Sequence, residues 1–251
     1  MNLGLEGARA LVAGGSRGIG YSICEHLARE GCDVALFARD SAEVEASIER
    51  LRPLGRRMSG YRADLADRTQ VRDAVQAVLS DYGRLDVLVV AASSLSLAAD
   101  EASWRRGFEV DLLGTVHLTE LALEAMLPRR SGSILLVGST AALEVGPLQP
   151  YRSYKAALIP FVKSLAIEHA SSGIRVNLIS PGYVRAAGGI WERMANESPD
   201  VYAASVARIP MGRMATPEEV ARVATFLSSP AASYVNGANF IVDGALTRSI
   251  R

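Results

Sequence analysis

Short apolar runs alternate with longer amphipathic stretches along the chain. Ala10-Leu11-Val12, Asp33 to Ala38, Leu85 to Ala91, Ser133 to Gly138 and Ile174 to Ser180 each read as a buried strand. Met58 to Ala63 is a weaker third strand, and Phe240 to Val242 a seventh. Between them lie stretches with helical spacing. Tyr21 to Glu30 carries Ile23 and Leu27 on one face; Ser41 to Leu54 starts at Asp40 or Ser41, either of which suits an N-cap. Arg68 to Tyr82 is closed by Gly83, and Ala102 to Leu127 is ended by Pro128. Tyr151 to Ala170 contains Pro160, which is expected to remove a backbone hydrogen bond and bend the helix. Thr216-Pro217-Glu218-Glu219 is a capping box with proline at the first helical position, opening a helix to Ser228. This alternation predicts an α/β fold, with a parallel sheet of seven strands and helices on both faces. Tyr183 to Ala215 breaks the pattern and reads as an irregular insertion. A loop of that length in a compact domain suits a lid. The expected organisation is one domain, 1–251, with a lid at about 183–215.

Composition narrows the function. Nearly half of the 251 residues are hydrophobic, at 49%, which argues against disorder. Lys and Arg number 27 against 27 Asp and Glu, with no basic block, so nucleic acid is not an expected partner. Cys24 and Cys32 have no redox or metal spacing and read as buried thiols. His26, His117 and His169 are scattered, and no metal site is expected. Neither a signal peptide nor a membrane span is legible, so a cytoplasmic setting is expected.

The chemistry starts at Gly14-Gly15-Ser16-Arg17-Gly18-Ile19-Gly20, between the first strand and the first helix. Glycines there let the backbone turn sharply and approach a ligand closely. The following helix turns its free N–H groups and positive dipole end toward a pyrophosphate. Further on, Tyr151 and Lys155 lie four apart on one helix face, while Tyr154 points elsewhere. A nearby cation favours a phenolate, so Tyr151 could exchange a proton with an alcohol or carbonyl oxygen. Ser139 follows an apolar strand, and ligands in open α/β sheets bind at strand C-terminal ends.

Gly14-xxx-Gly18-x-Gly20, Asp64 in Ala-Asp-Leu, Ser139, Tyr151-xxx-Lys155, Pro181-Gly182 and Val242-Asp243-Gly244 occur in an order that resembles the classical short-chain dehydrogenase/reductases. With Pro217-Glu218-Glu219-Val220, the chain is most similar to the 3-oxoacyl-carrier-protein reductases and related ketoreductases. The resemblance implies a Rossmann-type doubly wound sheet and a nicotinamide dinucleotide. It implies cofactor contacts from Gly14, Ser16, Arg17, Gly18, Ile19 and Gly20, then from Arg39, Asp64, Leu65 and Ala91. Tyr151, Lys155, Pro181, Gly182 and Val184 complete the implied set. Tyr151 would be general acid/base, Lys155 would hold the ribose and lower the tyrosine pKa, and Ser139 would orient the substrate oxygen. Asp111, in Val110-Asp111-Leu112, takes the fourth catalytic position, where the family has asparagine.

Other departures accompany it. Ala13 replaces the usual threonine, Val90-Ala91-Ala92-Ser93 stands for Asn-Asn-Ala-Gly, and Ala186 replaces the threonine after Pro-Gly. Ser139 lies twelve residues before Tyr151, a slightly shortened loop. These bear on affinity and rate more than on fold. Ala38 ends the second strand and is followed by Arg39, with Arg17 nearby, which suits the 2′-phosphate of NADP(H). Asp40 is the complication: it could accept from a ribose, but it is assigned to the helix cap. Tyr183, Ile190, Trp191, Met194 and Met211 suggest a mainly apolar or amphipathic substrate, and the resemblance implies a 3-oxoacyl-like or other mainly apolar carbonyl. Leu158, Phe161, Val162 and Leu165 exceed one apolar stripe and suggest a homotetramer or homodimer. The expectation is an NADP-dependent enzyme interconverting a ketone and a secondary alcohol. The alternative is a cofactor-binding homologue with little catalysis, acting as a scaffold or sensor.

Overall fold

The apolar runs pair side by side because each is buried on both faces, which a parallel sheet covered by helices requires. A computed structural model describes residues 2–249. Its strands are β1 (Arg9–Ala13), β2 (Asp33–Ala38), β3 (Met58–Arg62), β4 (Val87–Val90), β5 (Gly132–Val137), β6 (Ile174–Pro181) and β7 (Asn239–Val242). They form one seven-stranded sheet in the order β3-β2-β1-β4-β5-β6-β7, with every pairing parallel. Val12 sits opposite Leu36 on one side and Val89 on the other, so central positions have apolar neighbours in register.

Side chains alternate across the sheet. Leu11, Leu88, Val90, Ile134 and Leu136 face a core completed by α3 (Arg68–Tyr82), α5 (Thr115–Met126) and α6 (Pro150–His169). Val12, Val89, Leu135 and Val137 face the opposite core, against α1 (Gly18–Arg29), α2 (Ser41–Leu51) and α9 (Pro217–Ser228). Capping fixes the helix starts. Asp40 accepts the Glu43 N–H at 3.0 Å, as expected, and Thr216 and Glu219 form the reciprocal capping box.

The order of strands reverses between β1 and β4, and this switch opens a crevice at their C-terminal ends. Gly14 makes the crevice possible. Its φ of +78° is left-handed, and a Cβ there would lie 2.6 Å from the Ala92 nitrogen.

Two local features differ from the sequence reading. The segment after β6 is not irregular: it contains α7 (Ile190–Glu197) and α8 (Pro199–Ala207), and a Val184–Ala215 bridge ties its base. Both helices are short and neither buries a residue fully; α8 has almost no apolar face, and α7, although amphipathic, spans only eight residues. The long helical region is α4 (Glu101–Gly107), a π-helical turn over Phe108–Gly114, and α5. The extra width of such a turn is invisible to a period of 3.6, and such turns collect at functional sites. Pro160 lies on the exposed side of α6, and the helix continues through it.

Gly114 closes the π-helical turn against the loop after β3, where a Cβ would run into the Leu65 carbonyl oxygen. Gly114→Ala is therefore expected to destabilise the protein by about 1–3 kcal/mol through overpacking. A urea midpoint that stays at the wild-type value would refute this close approach.

Candidate active site

Every strand C-terminus from β1 to β6 delivers a residue to one cleft of about 830 Å³. Gly14 follows β1, Arg39 follows β2, Asp64 follows β3, Ala91 follows β4, Ser139 follows β5, and Pro181-Gly182 ends β6. Ser16, Arg17, Gly18, Ile19 and Gly20 form the floor at α1, with Leu65 and Val184 on the walls. Tyr151 and Lys155 enter from α6. Asp111 does not reach the cleft: it lies behind Lys155 with no exposed surface.

The reactive end is built around a buried ammonium. Lys155 Nζ donates to the Val137 carbonyl at 2.9 Å and lies 3.6 Å from Asp111 Oδ1. It stands 5.9 Å from the centre of the Tyr151 ring. Burial pulls the Lys155 pKa down, and the Asp111 charge opposes this. For Tyr151, burial dominates and raises the phenol pKa; a hydrogen bond with Ser139 lowers it, and the Asp111 charge raises it further. The structure thus does not show the expected lowering of Tyr151 by Lys155. The ammonium is already engaged by a carbonyl and a carboxylate.

Ser139 accepts the Ala141 N–H at 3.1 Å through its hydroxyl oxygen, so its own O–H remains a donor. Tyr154 packs against Trp104 and Phe108, with ring centres 5.7 Å and 6.1 Å away, and takes no place in the cleft. Asp64 is held by Arg106 at 2.9 Å and by the Ala66 N–H at 3.0 Å. Burial raises its pKa, but these donors leave the carboxyl below its ordinary value.

At the opposite end, α2 grips the glycine loop. The Ser16 hydroxyl donates to Glu43 at 3.1 Å, and Ser47 donates to the Ser16 carbonyl at 2.6 Å. Arg50 reaches the same carbonyl at 3.4 Å, and Arg17 lies 3.9 Å from Glu43. The sequence reading missed Glu43, although Glu43, Ser47 and Arg50 share one helix face. It also missed Ser94 and Ser96, which lie in a loop without a motif. Arg17 is the N-cap of α1 and makes no side-chain cap, so the first N–H groups of that helix are left for an anion.

Elsewhere, Cys24 and Cys32 are free and buried; burial raises both thiols, Cys32 to about 12. Among the described residues no group of His, Cys, Asp and Glu could hold a metal ion, and no helix is long and apolar enough to cross a membrane.

Residues 13–247 match the family model described as enoyl-(acyl carrier protein) reductase. The 3-oxoacyl-[acyl-carrier-protein] reductase FabG of Chlamydia pneumoniae is 34% identical over 98% of this chain and 100% of its own. The cyclohexanol dehydrogenase of Rhodococcus sp. strain TK6 is 34% identical over 99% of each chain. Among solved structures, L-sorbose reductase from Gluconobacter frateurii, complexed with NADPH and L-sorbose, superposes with a TM-score of 0.92 at 30% identity over 100% of both chains. Fold, cleft and relatives agree: the chain belongs to the short-chain dehydrogenase/reductase family of oxidoreductases, on its ketoreductase side.

Proposed function

We propose that the protein is an NADP(H)-dependent ketoreductase, interconverting a mainly apolar ketone and the corresponding secondary alcohol. The observation that carries this reading is the convergence of Ser139, Tyr151 and Lys155 at one end of a cleft whose other end is the glycine loop. The loop fits a dinucleotide: a Cβ at Gly14 would collide with Ala92, and uncapped N–H groups of α1 face the cleft. Gly14, Ser16, Gly18, Ile19 and Gly20 would hold the pyrophosphate, and Asp64, Leu65 and Ala91 the adenosine. Lys155 would hold the nicotinamide ribose, and Pro181, Gly182 and Val184 the nicotinamide. When bound, the dinucleotide supplies a hydride in reduction and accepts one in oxidation.

The chain's own residues handle the oxygen. Ser139 donates a hydrogen bond to the carbonyl oxygen and fixes its position. Tyr151 delivers a proton to that oxygen as negative charge develops on it, and removes it in the reverse direction. Lys155 places a positive charge behind this exchange, so that the phenolate is not an isolated buried anion. A protein that only bound the cofactor would need no such acid/base pair, which weighs against a scaffold or sensor role.

Arg17 and Arg39 on the cleft wall support NADP(H), because an arginine there suits a 2′-phosphate. Glu43 opposes them: it already takes the Ser16 hydroxyl and lies beside Arg17, so a 2′-phosphate must displace its carboxylate. The arginines carry the reading, since a 2′-phosphate can take charge-assisted hydrogen bonds from both guanidinium groups. Tyr183 and Trp191, with ring centres 4.4 Å apart, and Ile190 suit an apolar substrate in a 3-oxoacyl-like range. Ile190 and Trp191 line the cleft, whereas Tyr183, Met194 and Met211 do not, and the two lining residues support a lid role for 183–215.

Self-association belongs to the same proposal. Leu158 and Val162 are buried within the protomer, which removes two of the apolar residues expected to need a partner. Phe108, Leu113 and Ile167 remain exposed on the π-helical turn and α6, and suit a homodimer or homotetramer. The buried free cysteines suit a reducing, cytoplasmic setting.

Three outcomes test the reading. Tyr151→Phe should abolish NADPH-dependent ketone reduction across a substrate panel while leaving NADPH binding within about twofold, since the ring's packing is kept. Near-wild-type turnover in this variant would remove Tyr151 from the mechanism. Arg39→Ala should weaken NADPH about tenfold and NADH hardly at all, the value of one charge-assisted hydrogen bond. Equal losses for both nucleotides in a fluorescence titration would overturn the NADP(H) assignment. Lys155→Ala should lose both turnover and dinucleotide affinity, and retention of tight binding would remove its ribose-holding part.

A further inference from the structure

Asp111 is the one fully buried carboxylate beside the reactive end, and its two oxygens face different partners. Oδ2 accepts the Ser94 N–H at 3.1 Å and also the Ser94 hydroxyl in a short hydrogen bond. Oδ1 has no hydrogen-bond partner among the described residues; it faces Lys155 Nζ across 3.6 Å. The Ser94 hydroxyl also shares a hydrogen bond of 2.8 Å with the Ser96 hydroxyl. The Ser96 carbonyl then accepts the Tyr151 N–H at 3.2 Å. Between the two serines, Leu95 is held at φ 49°, a left-handed conformation that a leucine adopts only when its surroundings demand it.

We propose that Asp111, anchored by Ser94, is a positioning residue that sets the charge state of the Lys155–Tyr151 pair and couples it to the loop seating Tyr151. This rests on the reading of the cleft as a ketoreductase site. The chain of contacts runs from Lys155 to Asp111, to Ser94, to Ser96 and back to the first turn of α6. An unbonded, fully buried carboxylate oxygen is costly unless a cation compensates it, and Lys155 is the cation in reach. The arrangement therefore calls for a carboxylate: an amide oxygen at Oδ1 would give the ammonium much weaker compensation.

The surroundings of Asp111 leave few other charges to act. From α6 it meets Lys155 and Tyr151, whereas Tyr154 is turned into the Trp104 and Phe108 cluster. From α4, Arg106 is committed to Asp64 and Arg105 to Glu101. Glu109 on the same turn is half-buried, with no ion pair to Lys155 or hydrogen bond to Asp111 among the described residues. The loop at 93–96 offers hydroxyl and backbone groups alone.

The sign of the effect follows from electrostatics. A negative charge raises the pKa of every nearby proton-binding group, so removing it lowers both Tyr151 and Lys155. Removing the Ser94 hydroxyl takes away a donor whose positive end points into the same region, and both should rise.

Two measurements separate this proposal from the ketoreductase reading itself. In cofactor-free protein, tyrosinate absorbance is titrated in wild type, Asp111→Asn and Ser94→Ala, with Tyr151→Phe subtracted to isolate Tyr151. The Tyr151 midpoint should fall by about one pH unit or more in Asp111→Asn and rise by a smaller amount in Ser94→Ala. This readout needs no substrate and stands whether or not turnover is found. Where turnover is measured, both limbs of the pH profile for alcohol oxidation should move the same way as the midpoint. If Asp111→Asn does not fold, the upward shift in Ser94→Ala carries the test. An unmoved Tyr151 midpoint in a folded Asp111→Asn protein, or a downward one in Ser94→Ala, overturns the proposal.

Discussion

Burying a lysine ammonium is the demand that the reactive end of this molecule is arranged to meet. Lys155 has almost no contact with solvent, and an unpaired charge at such a site would simply give up its proton. Two groups prevent that, and they come from different layers of the fold. The Val137 carbonyl is the last of β5, two residues before Ser139 at the cleft. Asp111 comes from the π-helical turn between α4 and α5. Both contacts require β5, this turn and α6 to pack tightly, and Gly114 allows the turn to approach the Leu65 backbone. The chemistry at the cleft and the packing of one core are in this sense the same constraint.

The sheet and most helices were legible because their signals are local and repeated. Strands buried on both faces leave continuous apolar runs, and caps such as Asp40 and Thr216 mark helix starts by their own chemistry. The positions of Ser139, Tyr151 and Lys155 were also legible, since strand ends and helix spacing place them at one edge of the sheet. What escaped was of another kind. A π-helical turn inserts width without changing composition. The helix α8 has almost no apolar face, and α7 is amphipathic but only two turns long, too short a stretch to establish a period. The contacts from Ser94 to Asp111 span seventeen residues, and those from Ser16 to Glu43 twenty-seven; no spacing rule reaches so far.

The direction of the Tyr151 shift shows why motif and environment must be read separately. The motif places a cation one turn away and suggests an easily ionised phenol. Burial outweighs that suggestion, because removing water disfavours a phenolate whatever its neighbours, and the Asp111 charge adds to the effect. A positively charged nicotinamide ring in the oxidised cofactor would act in the opposite sense. Burial and the Asp111 charge thus both favour the protonated phenol.

The central claim is that this cleft passes a hydride directly between a dinucleotide and a carbonyl carbon while Tyr151 handles the proton on oxygen. NADPH carrying deuterium at nicotinamide C4, incubated with a ketone that the protein reduces, tests it most directly by mass spectrometry of the alcohol. The account predicts one deuterium on the carbinol carbon when the label occupies the transferred face, and none from a deuterated solvent at that carbon. A product whose carbinol hydrogen comes from solvent, or protein that binds NADPH yet transfers label to no carbonyl in a broad panel, would contradict it.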